Sequence, residues 1–330
     1  MNNKIKIALI GCGVVGIRRV SILPKEFELI GCSDPIINLK NINFKNKKLY
    51  LTSDWTKLIN YKSLDAVIIS TTHNLHSKII EECLKKNLHI FVEKPASINN
   101  KESYKILKIL KKKKKLKLRV GFNHRYHPAF LLAKKIINQK KIGKIFCIRA
   151  VYGHGGRLGY EKEWRFNKKY SGGGELIDKG SHLIDLSRLF LGNLKVDTFS
   201  LNNFFWRTNL EDNCFLNLKN EKGAVAILHA SSTEWKNKFI FEIFGKYGKI
   251  EINGLGRSYG KESLTLFKMS KKMGVPQSKR ILFKRDYLYS WKEEFKEFYK
   301  DIIKDKNPIP GMQDAHENLK IISKVYQNKK

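Results

Sequence analysis

Asp178 and His182 stand four residues apart in an otherwise apolar run, "GGGELIDKGSHLIDL" (172–186). In an α-helix, positions four apart share a face. A carboxylate and an imidazole aimed the same way can hold and move a proton, because the imidazole titrates near neutrality and the acid can orient it. The plain alternative is a helix N-terminal acid followed by a histidine satisfied in the core. A third reactive side chain, Lys94, ends the stretch "LHIFVEKP" (88–95). Pro95 holds Glu93 and Lys94 extended, and an amine placed there can stabilise an oxygen that becomes an alkoxide. In a chain so rich in lysine the competing reading is an exposed loop residue.

The segment "IALIGCGVVG" (7–16) carries Gly11, Gly13 and Gly16 at G-x-G-x-x-G spacing. The pattern is weak alone, but here it follows a buried strand and opens a helix. Gly11 permits the tight turn, Gly13 lets the backbone, with Val14 and Val15, approach a pyrophosphate, and Gly16 lets the helix pack on the strand. The helix N-terminus then favours the phosphate charge. Asp34 follows eighteen residues after Gly16, at the end of the second strand. An acid there bonds both ribose hydroxyls and repels a 2′-phosphate, so the expected cofactor is NAD rather than NADP.

These residues need elements to position them. The first 122 residues alternate apolar strands (5–10, 27–33, 47–52, 65–71, 88–95, 116–122) with helical patterns, including 77–87 and 102–110. That alternation predicts a parallel sheet with helices on both faces. In such a sheet ligands sit beyond the carboxyl ends of the strands. This places Lys94 near the nicotinamide end of a dinucleotide, and Thr71, Thr72 and Asn74 beside its ribose or pyrophosphate. From 123 the pattern changes. A helix near 128–139 leads to a strand at 144–153, and the Asp178/His182 helix is followed by strands at 196–205, 211–220, 223–232, 238–245 and 249–254. Weaker strands fall near 263–268 and 280–284, and helices near 288–305 and 313–327 close the chain, separated by "NPIP" (307–310). Short Gly/Asn turns between the strands predict a mostly antiparallel, open sheet. The expected domains are 1–122, binding the dinucleotide, and 123–330, an α/β domain for substrate and oligomer formation.

The set of motifs resembles the Gfo/Idh/MocA family of sugar and inositol oxidoreductases. It comprises "GCGVVG", "STTHNLHSKI" (70–79), "VEKP", "GFNHRYHPA" (121–129), "GGGELIDKGSHLIDL" and "FGKYGKIEI" (244–252). The resemblance implies a Rossmann domain followed by an α/β domain with an open, mostly antiparallel sheet. It implies that Lys94, Asp178 and His182 are the catalytic residues, with Glu93 and His76 in the cofactor turns and Asp185 as the last acid of the helix motif. The reaction it implies is hydride transfer between a nicotinamide and a secondary alcohol or ketone of a pyranose, a nucleotide sugar or an inositol, with surface-polysaccharide sugar biosynthesis as one setting. Either His182 or Lys94 can serve as the base. The loop "YGHGGRLGYEKEWRFNKKYSGGG" (152–174) adds Arg157, Tyr160, Trp164 and Arg165 as candidates for substrate contact, and Arg125, after the sixth strand, is another. Trp164-Arg165 resembles a pair found near the cofactor in some relatives. For the loop, packing against a partner subunit is the competing reading.

Composition excludes several classes. No apolar run approaches the ~18–20 residues that span a bilayer, and the N-terminus lacks the pattern of a secretory signal, so a cytoplasmic protein is expected. The five cysteines include no C-x-x-C pair and are odd in number, which fits reduced thiols. The pairs His73/His76 and His124/His127 lack acids or thiols at ligand spacing, so no metal is expected. The net charge of +35 is spread along the chain; its densest run, "KKKKKLKLR" (111–119), reads as a solvated helix end rather than a nucleic-acid site. Half-alternating strands such as "KFIFEIFG" leave apolar residues to be covered, which predicts a homodimer or homotetramer. The reading from another class is a non-catalytic NAD(H)-binding regulator or sensor. It fits less well because such a protein has no use for Lys94, Asp178 and His182 together.

Overall fold

The structure, a computed structural model, describes residues 4–36, 49–270, 272–284 and 286–328. The chain forms two compact units, Met1–Phe122 with Trp291–Leu319, and Asn123–Ser290 with Lys320–Lys330. The crossing after Phe122 is where the sequence pattern changes. The segment 291–319, which the sequence pattern assigned to the second domain, instead packs in the first unit. The cause is aromatic: Phe295 stacks on Phe91 with ring centroids 4.7 Å apart, and Phe298 stacks on Phe27 at 6.0 Å. Such rings bury more apolar area than most side chains.

In the first unit six parallel strands run in the order β3-β2-β1-β4-β5-β6. They are β1 (Ile5–Ile10), β2 (Phe27–Ser33), β3 (Tyr50–Thr52), β4 (Ala66–Ile69), β5 (His89–Glu93) and β6 (Leu118–Gly121). Residues 47 and 48 of the expected third strand lie outside the described residues. The central strands are apolar on both faces, as a sheet covered by helices on each side requires. The helices are α1 (Val14–Ser21), α2 (Trp55–Ile59), α3 (His73–Lys85) and α4 (Asn100–Lys112); the short α2 gave no sequence signal. Ile79, Ile80 and Ile106 pack with Val67, Ile90 and Val92 in one buried cluster. The order reverses between β1 and β4, which makes their carboxyl ends the switch point of the sheet.

In the second unit eight strands run β14-β13-β12-β11-β7-β10-β9-β8. They are β7 (Ile145–Gly153), β8 (Lys195–Asn202), β9 (Asn213–Lys219), β10 (Val225–Ser231), β11 (Lys238–Gly245), β12 (Gly248–Asn253), β13 (Ser263–Lys268) and β14 (Ser278–Leu282). All pairings are antiparallel except β7 with β10. Helices α5 (Pro128–Asn138) and α7 (Ser181–Leu191) contribute buried Phe130, Leu183, Ile184 and Leu186. The short helix α6 (Lys168–Ser171) precedes the triple glycine.

Candidate functional site

In the first unit the glycines divide three jobs. Gly11 has φ +93°, and a Cβ there would stand 2.6 Å from the Ser70 carbonyl, so the loop lies directly on the end of β4. A Cβ on Gly16 would stand 2.0 Å from the Gly11 carbonyl oxygen, so α1 starts in contact with its own loop. A Cβ on Gly13 would meet nothing within 4 Å. Gly13 is also the N-cap of α1, and no side chain caps the helix. Val14 is exposed and Val15 half-buried. An open backbone face at an uncapped helix start fits a pyrophosphate.

Asp34 is bound to this loop. Its Oδ2 accepts from Cys12 N at 2.8 Å and its Oδ1 from Ile36 N at 2.9 Å. The carboxylate is therefore fixed at the end of β2 beside the glycine turn, the place for ribose hydroxyls. Thr72 is the N-cap of α3 and donates through Oγ1 to Asn74 Oδ1 at 2.7 Å, and Thr71 Oγ1 donates to the Thr72 carbonyl at 3.2 Å. These polar groups follow β4, next to the strand that carries the glycine loop. Lys94 follows β5 and is half-buried. Two predicted cofactor residues have other occupations. Glu93 accepts from the buried Arg19, and His76 sets both ring nitrogens against backbone carbonyls, those of Pro95 and Thr71.

In the second unit the expected helix start is a π-helical turn over Leu176–Gly180, which leads into α7. Such wide turns occur often at functional sites. The turn is pinned from its N-terminal side. Glu211 Oε1 accepts from Gly174 N at 3.1 Å, Leu176 N at 3.2 Å and the Tyr326 hydroxyl at 2.6 Å. A Cβ on Gly173 or Gly174 would run into Tyr326 or Glu211, which explains two of the three glycines of "SGGG"; the first, Gly172, caps α6 at φ 84°.

Asp178, within the turn, faces cations. Lys179 Nζ lies 3.5 Å from its Oδ2 and 2.7 Å from Glu175 Oε2, and Arg165 Nε lies 4.0 Å from Asp178 Oδ2. Burial opposes the charge on Lys179, but Glu175, Tyr160 and Asp178 together outweigh it and hold its pKa above the usual range. His182 faces aromatic rings. It stacks on His124 with centroids 4.0 Å apart, and the Tyr152 ring lies 6.0 Å away. Tyr152 links the pair: burial first, then Tyr259 and the charge of Asp178, push its phenol well above the usual value. Tyr152 is thus a neutral phenol whose ring neighbours His182 and which feels the charge of Asp178. Arg125 is bidentate to Asp185, Nε to Oδ2 at 2.7 Å and Nη2 to Oδ1 at 2.6 Å, and both are buried. The predicted substrate contact of Arg125 gives way to a tie between α7 and the 3-10 turn Asn123–Tyr126 that carries His124.

The long loop has its own core. Tyr160 is buried with Phe166, Trp206 and Leu210, so it packs rather than presenting its ring to a ligand. Its hydroxyl pairs with His154 Nε2 at 3.2 Å, and His154 Nδ1 accepts from Gly156 N at 2.7 Å. Burial, then Lys179, lower the His154 pKa to about 3. Arg157 is exposed and pairs with Glu163. Arg165 lies over the Trp164 ring at 4.8 Å and reaches the predicted catalytic residue Asp178. Sequence reasoning missed His124, Tyr152, Lys179 and Glu211. Among these only "NHRYH", with its run of ring residues, carried a local signal. Among the described residues no cluster of histidine, cysteine or acid could hold a metal.

Comparison with known proteins agrees with this architecture. Residues 5–122 match the model of an oxidoreductase family with an NAD-binding Rossmann fold, and residues 130–251 match the GFO/IDH/MocA C-terminal domain. The chain is 28% identical over 229 residues to levoglucosan dehydrogenase of Pseudarthrobacter phenanthrenivorans, covering 61% of this chain but only 58% of that protein. It is 24% identical over 268 residues to myo-inositol 2-dehydrogenase of Thermotoga maritima, covering 78% and 75%. A levoglucosan dehydrogenase structure in complex with NADH and levoglucosan superposes with a TM-score of 0.87 at 22% identity, covering 99% and 98%. A 3-ketoreductase from Actinomadura kijaniata, in complex with TDP-benzene and NADP, superposes with a TM-score of 0.80 at 16% identity, covering 96% and 95%. With glycine loop, sheet orders and both family models in accord, the chain belongs to the Gfo/Idh/MocA family of oxidoreductases.

Proposed function

We propose that the protein is an NAD-dependent sugar oxidoreductase acting on a secondary alcohol or ketone of a pyranose, a nucleotide-linked sugar or an inositol. The observation that carries the reading is the second unit's set of Asp178 between cations and His182 against aromatic rings, in a family with an NAD-binding fold. Levoglucosan and myo-inositol, named for two relatives, are both ring polyols. NAD would be held by Gly11, Gly13 and Gly16, by the α1 N-terminus, by Asp34 and by the Thr71, Thr72 and Asn74 turn. When bound, it supplies the hydride acceptor. His182 takes the hydroxyl proton, or Lys94 does while His182 orients the alcohol. Lys94 otherwise stabilises the alkoxide as it forms. Asp178, held by Lys179 and Arg165, binds a neighbouring hydroxyl. In the reverse direction the same groups return the proton to a reduced ketone.

The test supplies NAD with a panel of inositols, free sugars and UDP-sugars and follows the absorbance of reduced nicotinamide. Reduction triggered by one sugar and abolished in both Lys94→Ala and His182→Ala supports the reading. Binding of NAD without turnover on any sugar favours the sensor. The open face of the second-unit sheet presents exposed Phe215 and Ile227, and a second copy of the chain is the proposed cover; a monomer by light scattering counts against it. We place the protein in the cytoplasm; no helix among the described residues is long and apolar enough to cross a membrane.

A further inference from the structure

We propose that Arg19 and His76 are positioning residues that hold Lys94 in place from both sides, Arg19 through Glu93 and His76 through Pro95. The inference rests on the proposed role of Lys94 and says what sets its geometry.

Arg19 lies on α1, the helix that opens at the glycine loop, and is fully buried. Its Nε donates to Glu93 Oε1 at 2.5 Å and its Nη1 to Glu294 Oε2 at 2.5 Å. The guanidinium lies over the Trp291 ring at 4.0 Å and the Phe91 ring at 4.7 Å. A buried guanidinium is tolerated only with carboxylates against it, so its position and that of Glu93 are set together. Gly121 on the neighbouring strand completes the fit, since a Cβ there would stand 3.0 Å from both Arg19 Nη2 and Glu93 Oε2. The residue before Lys94 is therefore fastened to the helix that begins at the dinucleotide loop.

The residue after Lys94 is fastened from α3. His76 Nδ1 lies 2.8 Å from the Pro95 carbonyl oxygen and Nε2 lies 3.1 Å from that of Thr71. Burial holds its pKa below the usual value, against the pull of the two carbonyls and of Glu93. A neutral imidazole has one N–H, so the ring donates to one carbonyl at a time while packing against both. It ties the turn after β5 to the turn after β4, where Thr71, Thr72 and Asn74 sit. A lysine side chain is long and has several rotatable bonds, so fixing its backbone on both sides is what a built site needs.

The test uses the full chain and five proteins: wild type, Arg19→Lys, Glu93→Gln, His76→Phe and His76→Gln. In each, limiting acetic anhydride labels the protein without cofactor or substrate. Peptide mapping then gives acetylation at Lys94 relative to Lys101, an exposed lysine in the same unit. The ratio is expected to change by roughly threefold or more in Arg19→Lys and His76→Phe, as the amine's surroundings change. His76→Gln, which keeps one donor for a carbonyl, is expected to recover most of it. On the sugar that wild type turns over, kcat is expected to fall roughly ten- to a hundredfold, the penalty of a small misplacement, with KM for NAD little changed in Arg19→Lys and raised in His76→Phe, which also frees the Thr71 turn. An unchanged ratio in all four variants overturns the proposal, whether or not a substrate is known. Absence of turnover in wild type overturns the sugar reading instead and leaves the acetylation ratio to decide the clamp. If Arg19→Lys does not fold, Glu93→Gln and His76→Phe carry the decision.

Discussion

The imidazole of His124 lies on that of His182, ring centroids 4.0 Å apart and planes 19° from parallel. His124 Nδ1 pairs with Asn123 Oδ1 at 3.1 Å, and Asn123 Nδ2 donates to Ser290 Oγ at 3.4 Å. The 3-10 turn that carries His124 is tied to α7 by Arg125 and Asp185. The stack fixes the plane of the His182 ring, and a fixed plane is what proton transfer to one nitrogen needs. His124→Ala is expected to lower kcat roughly tenfold by releasing that plane, with KM for NAD unchanged. His124→Phe, which can still stack, is expected to retain more activity than His124→Ala. Steady-state kinetics on the three proteins checks the order; equal losses in the two variants would place the role of His124 in its nitrogens rather than its face.

The glycines of the dinucleotide loop separate folding from binding. Gly13 has open space where its Cβ would be, so Gly13→Ala is expected to keep the wild-type melting temperature. The added methyl occupies the approach of the pyrophosphate, and NADH affinity is expected to fall by roughly tenfold or more. Gly16→Ala puts a methyl 2.0 Å from the Gly11 carbonyl oxygen. It is expected to destabilise the first unit by about 1–3 kcal/mol as an overpacking change and to lose NADH binding with it. Calorimetry and fluorescence titration on the pair distinguish the two effects. A Gly13→Ala protein that binds NADH normally would remove this loop from the cofactor site.

Asp34 has one shown role and one proposed role, and they can be pulled apart. Its two oxygens accept from the Cys12 and Ile36 amides, and its charge is proposed to discriminate against a 2′-phosphate. Asp34→Asn keeps one acceptor oxygen and loses the charge. It is expected to narrow the preference for NAD over NADP by roughly tenfold with little change in stability. Isothermal titration with both nucleotides checks it. An unchanged ratio would mean that another group reads the ribose.

Legibility follows distance along the chain. The glycine loop, Asp34 and the Asp178/His182 spacing are short-range patterns with a fixed geometric meaning, and the strand–helix alternation fixed the first sheet apart from α2. The clamps are not of that kind. Arg19 and Glu294 are 275 residues apart, and Glu211 and Tyr326 are 115 apart. Nothing in residue type distinguishes the buried Arg19 from the many solvated cations of this chain. Tyr160 looked like a ligand contact because its partner Trp206 lies far along the chain in another loop. The helix of the motif "ELIDKGSH" opened as a π turn because Glu211 and Tyr326 hold its start, and neither is local. Helix α8 (Tyr289–Ile303) carries an apolar face, but it is distant residues such as Phe27 and Phe91 that determine that this face belongs to the first sheet.

Three carboxylates, Glu93, Glu294 and Asp301, are buried or nearly so with two guanidinium groups, Arg19 and Arg119. The set has one negative charge in excess, and Glu294 is its most deeply buried acid. Its Oε1 has no hydrogen-bond partner. Burial, together with the charge of Glu93, outweighs Arg19 and Arg119 and pushes its pKa up to about 7. An acid with a raised folded pKa binds its proton more tightly in the folded chain than in the unfolded one. Between the ordinary glutamate value and about 7 the folded state therefore carries more protons, and stability from this group falls as pH rises through that window, then levels off. The full effect is on the order of 3 kcal/mol. His154, with its pKa lowered to about 3, works the other way: it costs stability as pH falls below the ordinary histidine value. In Glu294→Gln the first slope is removed while the second remains. Urea unfolding from pH 5 to pH 8 is expected to show wild type losing more stability than the variant as pH rises. Parallel curves for the two proteins would mean that Glu294 stays ionised throughout and that the array keeps its excess negative charge.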